Sequence, residues 1–174
     1  MTLEDKSAEA AKDDVKSDYV RFDTNTDFQA AVDRLLAQSG RELRIFDSDL
    51  AVFRLNSPER VESIRAFFAA SRIARLYIVV HDPEPLIRTC PRMMSLLALY
   101  THAIQINRTD EAIRELQDSF VLLDRNHYVR RPVARFFRGG AGINDETEAL
   151  VMRSRFEEIW SASYPSASST TSGL

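Results

Sequence analysis

The groups in this chain that could do covalent, acid–base or metal chemistry are few: three histidines, one cysteine and a scatter of acids. Asp47 and Asp49 lie in Phe46-Asp47-Ser48-Asp49-Leu50, at the C-terminal end of a predicted strand. Ligands in open α/β sheets gather at such ends, and acids two residues apart share one face of an extended chain. A metal or acid–base role is therefore open there, although an Asp/Ser turn ending the strand is the favoured reading. His81 ends the next strand, Val79-Val80-His81-Asp82, and is an acid–base candidate, with a turn at Asp82-Pro83 as the alternative. His127 joins His81 and Asp47 as a third candidate near a strand end. His102 falls at a helix end, where a cation meets the negative pole of the helix dipole. No two histidines stand four apart and no Cys/His cluster occurs, so a zinc site has no support, and neither metal nor cofactor is expected. Gly139-Gly140-Ala141-Gly142 leads to Asn144 and not to a Lys-Ser/Thr pair, so it reads as a flexible turn before a helix, not as a phosphate loop. There is no Gly-x-Ser-x-Gly elbow.

The strongest charge feature is a run of five arginines, Arg125, Arg130, Arg131, Arg135 and Arg138, with no acid among them and with Tyr128, Phe136 and Phe137 interleaved. Guanidinium forks suit phosphate and carboxylate, and neighbouring aromatics can stack on them. Anion binding is one reading, with Arg130, Arg131, Arg125 and the nearby Ser119 as candidates. The other is structural pairing, with Arg131 and Arg135 meeting acids of the last helix. All three lysines lie in the first sixteen residues, so the body of the chain offers no lysine as nucleophile, base or Schiff-base former.

The elements that must position these groups alternate. Thr26-x-x-Gln29 reads as a capping box ahead of Phe28, Ala31, Val32, Leu35 and Leu36 at helical spacing. Gly40 reads as the left-handed cap of that helix. Leu43 and Ile45 alternate in a short strand. Ser57-Pro58-Glu59 starts a helix whose buried face is Val61, Ile64, Phe67 and Phe68. Residues 74–82 are a nearly continuous apolar strand, the pattern of a strand covered on both sides. A helix over 91–102 and a strand at 103–107 follow. Residues 119–124 and 127–132 form a hairpin turning at Asp124-Arg125-Asn126, and residues 134–140 add an edge strand. Asn144 caps a final helix carrying Ala149, Met152, Phe156, Ile159 and Trp160. Strands alternating with helices predict a single mixed, mostly parallel sheet with helices on both faces.

With 174 residues, 44% hydrophobic and 28% charged, the chain can build one domain with a sizeable core. Residues 1–23 read as a disordered acidic tail, 24–162 as the domain, and 163–174 as a disordered Ser/Thr-rich tail. No apolar run approaches the roughly 18 residues that span a bilayer, and no apolar signal core precedes the domain. A cytoplasmic protein without membrane contact is the expectation.

The element order, the strand 74–82 and the closing Phe156-Glu157-Glu158-Ile159-Trp160 resemble the phospholipase D-like domain over residues 26–162. The chain is similar in particular to an uncharacterised bacterial group of such domains, found alone or attached to an N-acetyltransferase domain. The resemblance implies a catalytic His-x-Lys-x-x-x-x-Asp strand, in which the His forms a phospho-enzyme and the Lys holds the phosphate. With Asp124 in the Asp position, Ser119 takes the Lys position and Gln117 the His position. The later Gly-Ser-x-Asn element falls near Arg131-Pro132, which also departs. The frame remains while the reactive groups do not, so the resemblance implies a non-catalytic module, a pseudoenzyme, that binds an anionic small molecule, a nucleic acid or a protein partner. It also implies a homodimer and an acetyltransferase-domain partner. The alternative is a hydrolase or transferase that uses His81, His127 and nearby acids.

Overall fold

The computed structural model describes residues 16–166. The parts of the two expected tails at 1–15 and 167–174 lie outside the described residues. Strand β1 (Asp18–Phe22) and strand β8 (Ser163–Pro165) fall within stretches expected to be tail, so the folded domain extends past both predicted boundaries. Between them run α1 (Asn25–Leu36), β2 (Glu42–Asp47), α2 (Pro58–Ala70), β3 (Arg75–Val80), α3 (Glu84–Thr89), α4 (Pro91–Leu99), β4 (Ile104–Thr109), β5 (Ser119–Leu123), β6 (His127–Arg131), β7 (Gly139–Ile143) and α5 (Glu146–Ser161).

The strands form one sheet in the order β1-β7-β6-β5-β2-β3-β4-β8. Only β2–β3 and β3–β4 pair in parallel, and the other five pairings are antiparallel. The expectation of a mostly parallel sheet is therefore corrected. Two helical crossovers give two parallel pairs. The meander β5-β6-β7, the return of β5 beside β2, and the two added edge strands give the rest.

The pleat sorts side chains between two cores. On one face Leu43, Ile45, Leu76, Ile78, Val121, Leu123 and Val129 meet Phe28, Val32 and Leu35 of α1, Ile64 and Phe67 of α2, and Met93 and Leu96 of α4. On the other, Phe46, Val79, Phe120, Leu122 and Tyr128 meet Ala149, Met152, Phe156 and Ile159 of α5. A buried arginine, Arg60, ties α2 to α1 through Asp33 at 2.9 Å and Gln29 at 3.1 Å.

Several local readings shift by a residue or two. Thr24, not Thr26, caps α1, its hydroxyl accepting from the Asp27 amide at 3.1 Å. Gly40 is not a left-handed cap, since no described glycine has positive φ. It is a point of close approach, where a Cβ would meet the Leu123 side chain. Asp145, not Asn144, caps α5, while Asn144 holds φ at 57° in the turn before it. Residues 139–143, read in part as a flexible turn, are the interior strand β7, and the edge beyond it belongs to β1.

Candidate functional site

Strands β5 and β6 pair with Ser119 opposite Arg131. Strand β2 lies on the other side of β5 with Phe46 opposite Phe120, so one further step brings Asp47 opposite Ser119. Asp47, Ser119 and Arg131 thus form a single row across three strands, on the face covered by α1. The Arg131 guanidinium donates from Nη2 to Asp47 Oδ1 and to Ser119 Oγ, both at 3.0 Å, and from Nη1 to the Ala134 carbonyl at 2.6 Å. Its central carbon lies over the Phe28 ring, 4.7 Å from the centroid. Both ionic side chains are only 2% exposed. Burial lowers the Arg131 pKa, while the Asp47 carboxylate opposes that shift. The second Asp47 oxygen accepts from the Leu50 amide at 2.8 Å and the Asp49 amide at 3.2 Å. Asp47 therefore ends the strand in an Asx turn, as its neighbours predict, and also neutralises a buried arginine from 84 residues away. The pairing of Arg131 and Arg135 with the last helix is corrected: Arg131 pairs with β2, and it is Arg125 that meets Glu146 of α5, at 3.8 Å. Arg135 lies against Phe136 at 4.9 Å and has no ion pair among the described residues.

The rest of the His-x-Lys-x-x-x-x-Asp frame is held structurally. Gln117 is exposed and donates to the Glu115 carbonyl at 3.1 Å. Asp124, at φ 52° in the hairpin turn, accepts from the Arg41 and Glu42 amides at 2.8 Å each, clamping the hairpin to the start of β2.

The histidines do not join this row. His81 is engaged at both ring nitrogens, Nδ1 with the Thr109 hydroxyl at 2.7 Å and Nε2 with the Leu116 carbonyl at 2.9 Å. A carbonyl can only accept, so Nε2 carries a proton, and in the neutral ring Nδ1 accepts from Thr109. His127 is buried at the other end of the hairpin, opposite Leu123. Four residues of strand, about 13 Å, separate it from Arg131. Its Nδ1 accepts from the Asn144 amide at 3.1 Å. Burial lowers its pKa, with Asp124 opposing in part.

Alternation sends Arg130 to the opposite face from Arg131. There, α5 packs over the central strands, the Tyr19 and Tyr128 rings lie against Gly140 and Gly142 of β7, and a hollow of about 580 Å³ opens beside them. Register aligns Arg21 of β1, Gly140 of β7 and Arg130 of β6 in one row, with Tyr19, Gly142 and Tyr128 in the next. Arg138 lines the same hollow. Neither Arg21, Arg130 nor Arg138 makes an ion pair among the described residues. Sequence reasoning missed Tyr19 and Arg21, because they fell in the expected tail. The period-two pattern Tyr19-Val20-Arg21-Phe22 was the available signal.

The family model described as Domain of unknown function (DUF7931) matches residues 24–169. No curated protein is similar enough in sequence to count as a relative. Among solved structures, Nuc from Salmonella typhimurium, a phospholipase D family member, superposes with a TM-score of 0.59 at 13% identity, over 88% of this chain and 100% of that one. NucT from Helicobacter pylori gives 0.57 at 10% identity, over 87% of this chain and 100% of that one. TrmBL2, an archaeal chromatin protein whose structure shows a novel mode of DNA binding, gives 0.59 at 12% identity over 91% of this chain. The match spans 57% of TrmBL2. The fold is thus the one seen in phospholipase D family members, and in this chain its sheet is mixed and mostly antiparallel.

Proposed function

We propose, from the premise that this chain belongs to the DUF7931 family, that it is a non-catalytic module on the phospholipase D fold which binds an anionic ligand through arginine. The observation that carries this reading is the division of labour between two adjacent arginines. Arg131 is consumed by Asp47, Ser119 and Ala134 beside the position where the resemblance puts the phosphate. Arg130 emerges on the other face with Arg21 and Arg138. Gln117 is no nucleophile and Ser119 supplies no cation, which argues against phosphodiester hydrolysis. TrmBL2, whose structure shows a novel mode of DNA binding, carries this fold over 57% of its length, which is compatible with a binding role. The alternative, an enzyme built on His81 and His127, finds less support: both rings are tied into the scaffold, and no acid among the described residues is hydrogen-bonded to either. Pairing with a second copy or with an acetyltransferase domain, in a cytoplasmic setting, completes the reading by analogy with the resembled group.

The test has two arms. A chromogenic phosphodiester should not turn over, and turnover abolished by His81→Ala or His127→Ala would favour the enzyme. In a thermal-shift panel of inorganic phosphate, nucleotides and short oligonucleotides, at least one anion should raise the Tm. Failure of every anion would overturn the binding role.

A further inference from the structure

We propose that the hollow over β7 is a binding site for a single phosphate group carried by a ligand of small-molecule size, with the phosphate seated above Gly140 between Arg21 and Arg130. This rests on the anion-binding reading and names its place and ligand class. The row Arg21–Gly140–Arg130 spans three neighbouring strands, so the two arginine Cα atoms stand about 9–10 Å apart. Two long side chains can close on one tetrahedral anion from that separation. Arg138 lines the same end. Guanidinium forks match phosphate oxygens in geometry and charge. The strand position between them is Gly140, which has no side chain of its own and lies under the Tyr19 ring. The Tyr19 hydroxyl leans over it, close enough that a Cβ on Gly140 would collide with it, and adds a neutral donor. Tyr19 is 53% exposed and can shift to admit a ligand.

The opposite end, one row along and about 7 Å away, is acidic. The Tyr128 hydroxyl donates to Asp145 at 3.2 Å, and that carboxylate also accepts the Glu148 amide as the α5 cap. Burial and the neighbouring carboxylates hold the Tyr128 pKa above its ordinary value, so it stays a donor. Asp145 thus closes off the helix N-terminus as an anion seat and puts the phosphate at the arginine end. Glu148 lines the hollow and makes no ion pair among the described residues. A carboxylate there repels a second phosphate and accepts hydroxyl or amine donors from the rest of the ligand. The hollow therefore selects one phosphate joined to a hydroxylated or amine-bearing remainder, and it rejects polyphosphates. A volume of about 580 Å³ lies in the range of small-molecule sites. Such a phosphate can come from a free phosphomonoester or from the 5′ end of an oligonucleotide.

Isothermal titration separates these sources. The probes are ribose 5-phosphate, pyrophosphate, and a trinucleotide with and without its 5′ phosphate. Ribose 5-phosphate should bind, and Arg21→Gln and Arg130→Gln should each weaken it about 10- to 150-fold, the loss of one charge-assisted hydrogen bond. Arg135→Gln, outside the hollow, should change nothing. Glu148→Gln should improve pyrophosphate binding. If only the 5′-phosphorylated trinucleotide binds, with the same arginine dependence, the phosphate seat stands, the source is the strand end, and the small-molecule ligand class is overturned. Anion binding that ignores Arg21→Gln and Arg130→Gln overturns this site while leaving the anion-binding reading intact. A protein that binds none of the four probes overturns the site, and one that also fails the wider anion panel overturns both. Both arginines lie at the surface of the sheet, so thermal melts of the variants should match the parent.

Discussion

Replacing Arg131 by Met tests how the row Asp47–Ser119–Arg131 is built. Methionine keeps much of the stem that lies on Phe28 but removes every donor. Asp47 is then a carboxylate at 2% exposure with only the Asp49 and Leu50 amides for company, and the Ser119 hydroxyl and Ala134 carbonyl lose their partner. Breaking a buried pair from one side costs about 3–5 kcal/mol. A domain of this kind has roughly 5–15 kcal/mol in all, so the variant should be marginal. Adding Asp47→Asn removes the stranded charge while its amide oxygen still accepts the two backbone amides. The double variant should regain about 1–3 kcal/mol over Arg131→Met alone, in the range of coupling between contacting groups. Urea unfolding at pH 7 reads both values as midpoint shifts at constant m. A loss below about 1 kcal/mol for Arg131→Met, or a double variant no more stable than the single, would mean that the pair is hydrated and replaceable. Arg131 would then be free for an external anion, and its assignment to the scaffold would fall.

Trp160 stacks on Phe156 at 5.8 Å and meets Tyr77 edge-on at 5.3 Å, but it is half-buried whereas Phe156 is buried. Phe156→Ala should therefore cost about 3–5 kcal/mol and Trp160→Ala about 2 kcal/mol in the same urea assay, and the reverse order would misplace α5. The folded-state pKa of His127 lies below its unfolded value, so its contribution is fully present above about pH 6.5 and is lost as pH falls through the folded pKa. Protonation also ends the bond from Asn144, and stability measured from pH 7 to pH 5 should fall less steeply in His127→Gln than in the parent. A Cβ at Gly139 would strike the Arg130 carbonyl, whereas at Gly140 it meets only the end of the exposed Tyr19. Thermal melts should therefore show Gly139→Ala strongly destabilised and Gly140→Ala nearly unchanged.

Helix faces and strand alternation were legible in the chain because they depend on neighbours within a turn or a pleat. The apolar stripes Val61-Ile64-Phe67-Phe68 and Ala149-Met152-Phe156-Ile159 bury as their spacing requires. The hairpin turns at Asp124, and Asp47 ends its strand in a turn. Alternation alone also required Arg130 and Arg131 to part to opposite faces. What each then meets was decided by pairing between distant segments. Asp47 reaches Arg131 across 84 positions only because β5 returns antiparallel beside β2. Arg21 shares a row with Arg130 only because β1 forms the sheet edge beside β7. Closing such long loops costs little more than closing short ones, so the local sequence carries almost no trace of which partner a strand takes. Side-chain burial across the finished sheet makes that choice. In this protein it turned two neighbouring arginines into one member of the scaffold and one wall of a hollow.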